Sequence, residues 1–149
     1  MNFLGENLLP GQIGHFFILL AFVASLISTI SFFKASSNNP SPDNRTWLLY
    51  ARGAYLTQIV SLAIVFGIVY YICANHLFEY MYAYKHASLE LEPKYLLACI
   101  WEGQEGSFLL WTICHAIFGG TILAARKTSM VNGYEPALMT VLSLAQAFL

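Results

Sequence analysis

Two glutamates three residues apart, four histidines and three cysteines are the side chains of this 149-residue chain whose types and spacing could do chemistry. Glu102 and Glu105 stand between the apolar run YLLACI (Tyr95–Ile100) and the stretch SFLLWTICHAIFGGTILAA (Ser107–Ala125), which holds no Asp, Glu, Lys or Arg. A charge at a bilayer centre costs about 2.5–3.5 kcal/mol even on lenient insertion scales. Both acids therefore belong at a membrane edge, or they perform a task that repays burial. Cys73, Cys99 and Cys114 form neither CxxC nor CxxCH, which argues against a thioredoxin-type reductase and against a covalent c-type cytochrome. GxSxG, Walker and HExxH patterns are missing too, so the sequence names no catalytic nucleophile and no metal set.

The elements that must position these residues follow from composition. Hydrophobic residues make up 58% of the chain and charged ones 10%, where soluble domains average roughly 25% charged. A net charge of −1 with no basic cluster excludes nucleic acid as a partner; the partner indicated is membrane lipid. Spanning helices need about 20 apolar residues. Ile13–Phe33 and Gly53–Ala74 meet that length, and Ser107–Ala125 comes close to it. Pro136–Leu149 reads as a fourth span that has only begun. The expected fold is an all-α polytopic helical membrane protein with three complete spans and a truncated fourth. The chain is expected to be the N-terminal transmembrane portion of a longer protein.

Lys and Arg in the short loops set the orientation. Lys34, Arg45, Arg52, Arg126 and Lys127 fall on one side, and only Lys85 and Lys94 on the other. This predicts an N-terminus outside, or periplasmic, in a plasma (inner) membrane, with SSNNPSPDNR (Ser36–Arg45) as a cytoplasmic turn-rich linker. The outer side then holds six of the eight acids. No basic region precedes the first apolar run, so it reads as a retained span rather than a cleaved signal.

Residues 75–106 form the outer loop in this reading. Phe78, Tyr80, Tyr82 and Tyr84 alternate with other residues, a period of two that fits an extended strand better than a helix. They make an interfacial aromatic belt or a wall facing a flat ligand or a partner. Pro93 breaks the stretch, and the seven-residue run Tyr95–Trp101 is too short to cross, which suits a surface or partly dipping helix.

Trp101, Gly103, Glu105, Gly106, Ser107, Leu109, Leu110 and Trp111 spell W-x-G-x-E-G-S-x-L-L-W. Before them come the alternating aromatics, then His86-Ala87-Ser88, Pro93 and Tyr95. This arrangement resembles the opening motif and first outer loop of the CcmF haem lyase family of cytochrome c maturation, over roughly residues 75–125. The resemblance implies part of a haem lyase that brings haem and apocytochrome c together at the outer face of the membrane, with lyase activity expected only of a full-length protein. It implies haem as cofactor, with apocytochrome c and other cytochrome c maturation proteins as partners. Gln104 stands where many members have His. The family's tryptophan-rich haem-binding segment and its ligating histidines lie beyond Leu149, so this stretch alone is not expected to ligate haem. His86, Tyr80 and Tyr82 are the candidates here for contact with haem or a partner.

The motif also has a reading from its residues alone. One continuous helix over Trp101–Ala125 would set Trp101, Glu105, Phe108, Thr112 and His115 on one face. That face would pack within the bundle or line a path. Gly103 and Gly106, three apart, have the spacing of small residues where backbones approach closely, a purpose Gly119-Gly120 can also serve, or they mark a kink. Ser107 reads as an N-cap and Glu105 as a complement to the positive end of the following helix. His15 and His115 lie about 9 Å apart in depth, which argues against a shared haem axis. Cys73 and Cys99 share an outer depth that permits a disulfide, although buried free thiols are the commoner state of such cysteines. A different class of reading is a non-enzymatic membrane scaffold or a channel- or transporter-like subunit, in which Glu102 and Glu105 bind a partner or a cation.

Overall fold

The structure is a computed structural model that describes residues 7–36, 43–88, 93–125 and 133–149. Its described residues form six helices in chain order: α1 (Leu9–Ala35), α2 (Asp43–Ala74), α3 (Met81–His86), α4 (Pro93–Cys99), α5 (Gln104–Ala125) and α6 (Glu135–Phe148). Helices α1, α2 and α5 are long and apolar enough to cross a membrane, and each includes one of the three charge-free runs. Their apolar side chains face outward as well as inward; Phe16, Phe33, Val60, Trp111 and Phe118 are all exposed. A helix apolar all round is at home where its outer solvent is lipid.

Small residues decide how α1 meets its neighbours. Ala21, Ala24, Ser25, Ser28, Ser31 and Ala35 recur at helical spacing and are buried, so the backbones of α1, α2 and α6 come close. Ser28 Oγ lies 3.1 Å from Ser143 Oγ of α6 and 3.4 Å from the Ala51 carbonyl of α2. Lipid tails are as apolar as leucine, so van der Waals contact and such hydrogen bonds, rather than expulsion of water, hold the helices together. Phe32, Tyr55, Leu123 and Met139 complete a core cluster beside this seam. Gly119 admits the Tyr55 hydroxyl, which a Cβ there would overlap and which donates to the His115 carbonyl at 3.1 Å.

Several expectations need correction. Residues Phe78–Tyr84 form no strand: the chain turns over 77–80 and enters α3. A period of two needs a neighbouring strand to pair with, and the described residues contain none. Helix α2 begins at Asp43, so Asp43, Asn44 and Arg45 belong to it rather than to the linker; residues 37–42 of that linker lie outside the described residues. So do residues 89–92 and the stretch 126–132, with Arg126 and Lys127 of the charge count. Trp101 is not on the α5 helix, because the chain turns over 100–103 between α4 and α5. The short helix expected near Tyr95 is present as α4, with Pro93 at its start, where a missing N–H costs nothing. After α2 the chain reverses through His76, at φ +52°. Leu77 N–H donates to the Ile72 carbonyl and His76 N–H to the Cys73 carbonyl, the paired bonds of a left-handed helix cap in a place usually given to glycine.

Candidate functional site

The end of α2, α3, the end of α4 and the start of α5 meet at a turn built around the W-x-G-x-E-G-S residues. Tyr82, on α3, donates its hydroxyl to the carbonyls of Ile100 at 2.7 Å and Cys99 at 3.0 Å. These are carbonyls at the end of α4, which have no partner inside their own helix. Gly106 is buried against the same spot: a Cβ there would overlap the Ile100 carbonyl oxygen and the Tyr82 hydroxyl. Gly103 lies under the His86 ring, whose Nε2 would be 2.7 Å from an added Cβ. The two motif glycines are thus explained by close approach, as their spacing suggests. Burial, followed by the charges of nearby Cys73, Glu105, Cys99 and Glu102, pushes the Tyr82 hydroxyl up to about 12. It therefore stays a donor at any ordinary pH.

Ser107 is not the N-cap. Helix α5 starts three residues earlier, and Ser107 Oγ donates back to the carbonyls of Gly103 at 3.0 Å and Trp101 at 3.2 Å. A hydroxyl bonding to the preceding turn is the other habit of serine, and here it ties the helix to the turn that precedes it. Glu105 falls in the first turn of α5, where a carboxylate complements the helix dipole as expected. Its side chain is exposed.

His86 joins the motif through contacts that cross the loop. Its ring lies 4.8 Å from that of Tyr82, and its Nδ1 is 4.0 Å from the Glu102 carboxylate, which is largely exposed. Tyr80 is held elsewhere. Its hydroxyl donates to the Asn7 carbonyl at 2.7 Å and accepts from the Gly11 N–H at 2.9 Å, fastening the loop to the start of α1. Trp101 and Trp111 are exposed; Trp111 packs edge-on to Phe108. The structure therefore brings His86, Tyr82, Gly103, Gly106 and the two glutamates together, and leaves Tyr80 at a separate fastening. Cys73 and Cys99 are buried free thiols, and Cys114 is an exposed one. Burial raises the Cys99 thiol above its usual value, which favours the inert protonated form.

Among the described residues no group of three or more His, Cys, Asp or Glu could hold a metal ion. His76 Nε2 lies 3.2 Å from the Ser88 carbonyl and His115 Nδ1 3.0 Å from the Trp111 carbonyl, so one ring nitrogen of each is engaged, His86 is packed on Gly103, and His15 sits on the exposed side of α1. What the turn offers is an aromatic and acidic surface on a rigid base.

Polar residues inside the bundle were not legible as partners. Arg52 donates twice to Glu135, Nε and Nη2 each at 2.7 Å, although Arg52 counts in the sequence as a plain loop cation. Gln58 Nε2 donates to Gln146 Oε1 at 2.7 Å, and Gln146 Nε2 to the Thr112 carbonyl at 2.9 Å. A glutamine inside an apolar run was the available signal, by the same cost argument applied to Glu102 and Glu105.

No family model matches the chain. It is 31% identical over 104 residues to the cytochrome c-type biogenesis protein CcmF of Pseudomonas fluorescens, covering 70% of this chain and 15% of that protein. It is 26% identical over 113 residues to the cytochrome c-type biogenesis protein ccl1 of Rhodobacter capsulatus, covering 76% and 17%. The chain thus spans less than a fifth of the length of these curated relatives. Its fold is similar to that of a solved cytochrome c haem lyase CcmF, with a TM-score of 0.79 at 20% identity, over 99% of this chain and 24% of that one. The motif around Trp101 and the two likenesses in sequence agree that the chain is similar to CcmF-type proteins, and the structural likeness shows that it shares their helical membrane fold.

Proposed function

We propose that this chain serves in cytochrome c maturation as part of a haem lyase, with the turn at Trp101–Ser107 on the outer face of the membrane as a docking surface. The observation that supports this most is the convergence of the motif glycines, Tyr82 and His86 on one fixed turn, in a chain similar in sequence and fold to proteins named for that process. Haem ligation to apocytochrome c adds cysteine thiols to haem vinyl groups, chemistry that belongs to the two reactants. The share of these residues is to hold and orient. Tyr82 and Gly106 fix the turn, Glu105 and Glu102 present carboxylates, and Trp101 and Trp111 present flat apolar area that suits a partner or haem edge.

Glu105→Gln in the full-length protein is expected to lower holocytochrome yield severalfold, and Glu102→Gln to leave it near wild type. Glu105 belongs to the E-G-S block at the start of α5, whereas the Glu102 carboxylate is mostly in water. Haem-stained cytochrome, normalised to the membrane level of each variant, measures this; equal yields from Glu105→Gln and wild type would reduce Glu105 to an ordinary interfacial acid. Orientation has its own test. A cysteine at position 86 is expected to be labelled from outside intact cells and one at position 40 only after permeabilisation, and the reverse pattern overturns an outer turn.

A further inference from the structure

The first turn of α1 is short of caps of its own. Its N-cap residue, Leu8, has no side chain that can accept a hydrogen bond, no acid falls in the turn, and Pro10 carries no N–H. The ladder inside the helix opens with Gln12 N–H on the Leu8 carbonyl, so the Gly11 N–H stands among the orphan donors of the helix start. A distant part of the chain meets that need. The Tyr80 hydroxyl accepts from the Gly11 N–H at 2.9 Å and donates to the Asn7 carbonyl at 2.7 Å, and the Glu79 carboxylate accepts from the Asn7 N–H at 3.2 Å. Gly11 suits this contact, since an added Cβ would lie 2.8 Å from the Tyr80 ring.

Helix α3 carries the contact onward. Its six residues are too few to hold a helix by themselves, because isolated helices shorter than about 12–15 residues are marginal. Neighbours must therefore hold it. Tyr80 is its N-cap residue yet gives α3 no side-chain bond, because the hydroxyl is engaged on α1. Tyr82, two residues on, donates to the Ile100 and Cys99 carbonyls, Ala83 is fully buried, and His86 closes α3 over Gly103. One end of this short helix is thus tied to α1 and the rest of it to the motif turn. Release at Tyr80 frays α3 from its start, and Tyr82 then loses the backbone that aims its hydroxyl.

We propose that Glu79 and Tyr80 form a strap that caps α1 and, through α3, registers the motif turn against the start of that helix, so that Tyr80 is a positioning residue for Tyr82 and His86. Its purpose rests on the docking reading of the turn; its mechanics do not. Two variants load the strap from opposite sides. Tyr80→Phe keeps the ring and removes the hydroxyl. Gly11→Ala pushes the ring away while raising the helix propensity of α1 itself, so loosening seen beyond α1 must pass through Tyr80. The measurement is hydrogen exchange of the full-length protein in lipid nanodiscs, read by mass spectrometry. Both variants are expected to raise exchange roughly tenfold in residues 7–12 and 81–87 and severalfold in residues 100–107, with the Arg52–Glu135 end as protected as in wild type. Exchange that rises only in residues 7–12 makes the contact a local cap and overturns the proposal. A rise spread evenly over the whole bundle overturns it as well. Holocytochrome yield from the same variants, normalised to membrane level, reads the docking surface separately: a looser turn with wild-type yield leaves the strap standing and removes the docking reading.

Discussion

Near the start of α2, the Arg52 guanidinium and the Glu135 carboxylate meet in two bonds of 2.7 Å; past its far end, the motif turn is fixed by a tyrosine hydroxyl on two backbone carbonyls, with its carboxylates facing out. The first end spends its charges on each other. Glu135 is 8% exposed in its side chain and Arg52 26%, so neither is free to greet a partner, and the pair anchors α6 to α2. The motif end secures itself without charge, through Gly106, Tyr82 and orphan carbonyls, which leaves Glu102 and Glu105 available. Rigidity from neutral groups and charges left over for recognition is the combination a docking surface requires.

Removing one partner at the charged end tests that contrast most severely. Arg52→Leu leaves the Glu135 carboxylate buried and alone, and is expected to destabilise the protein by about 3–5 kcal/mol. Arg52→Leu combined with Glu135→Leu should recover most of that loss, since an apolar pair is often as stable as the ion pair it replaces. Unfolding in mixed detergent micelles, followed by circular dichroism, measures both; a single variant as stable as wild type would mean that the pair anchors nothing.

Gly106→Ala attacks the other end. Its Cβ meets a backbone carbonyl oxygen, which cannot swing aside like a side chain. Overpacking of this kind costs about 1–3 kcal/mol, and the loss should be local. Hydrogen exchange is expected to rise in α4 and the 100–107 turn while the Arg52–Glu135 end keeps its protection. Uniform loosening of the whole bundle would contradict the division between the two ends.

Tyr82→Phe is milder, about 1–2 kcal/mol, because it removes one hydroxyl from two carbonyls and leaves the ring in place. The same bond predicts an alkaline limit. With the hydroxyl raised from 10 to about 12 in the fold, its contribution is intact below pH 10 and is lost as pH rises from 10 toward 12, because the unfolded chain gives up the proton first. Tyrosinate absorbance at 295 nm, compared between wild type and Tyr82→Phe, should show one residue titrating late. A difference spectrum with a midpoint near 10 would place the hydroxyl in water.

Much of this molecule was legible in its residues, and the illegible part has one cause. Burial in lipid is nearly a sum over single residues, so charge-free length located α1, α2 and α5, and the same cost argument set Glu102 and Glu105 outside the charge-free runs, where both are exposed. Gly103 and Gly106 were likewise readable, because a missing Cβ in a fixed spacing has few uses. Pairing is a property of two residues at once. Arg52 and Glu135 are 83 positions apart and Gln58 and Gln146 are 88 apart, and only the register in which α2 and α6 each pack on α1 decides that they meet. The helix at Met81–His86 and the early start of α5 belong with them: local alternation suggested a strand and Ser107 suggested a cap, but no neighbouring strand exists among the described residues to complete a ladder, and the Gly103 and Trp101 carbonyls claim the serine hydroxyl. The sequence by itself determined which segments are long and apolar enough to enter a membrane, since that property is a transfer free energy counted residue by residue; tertiary structure alone decided which buried polar groups find partners among the described residues, as Gln58 and Gln146 do, since a hydrogen bond exists only where two helices bring both of its ends together.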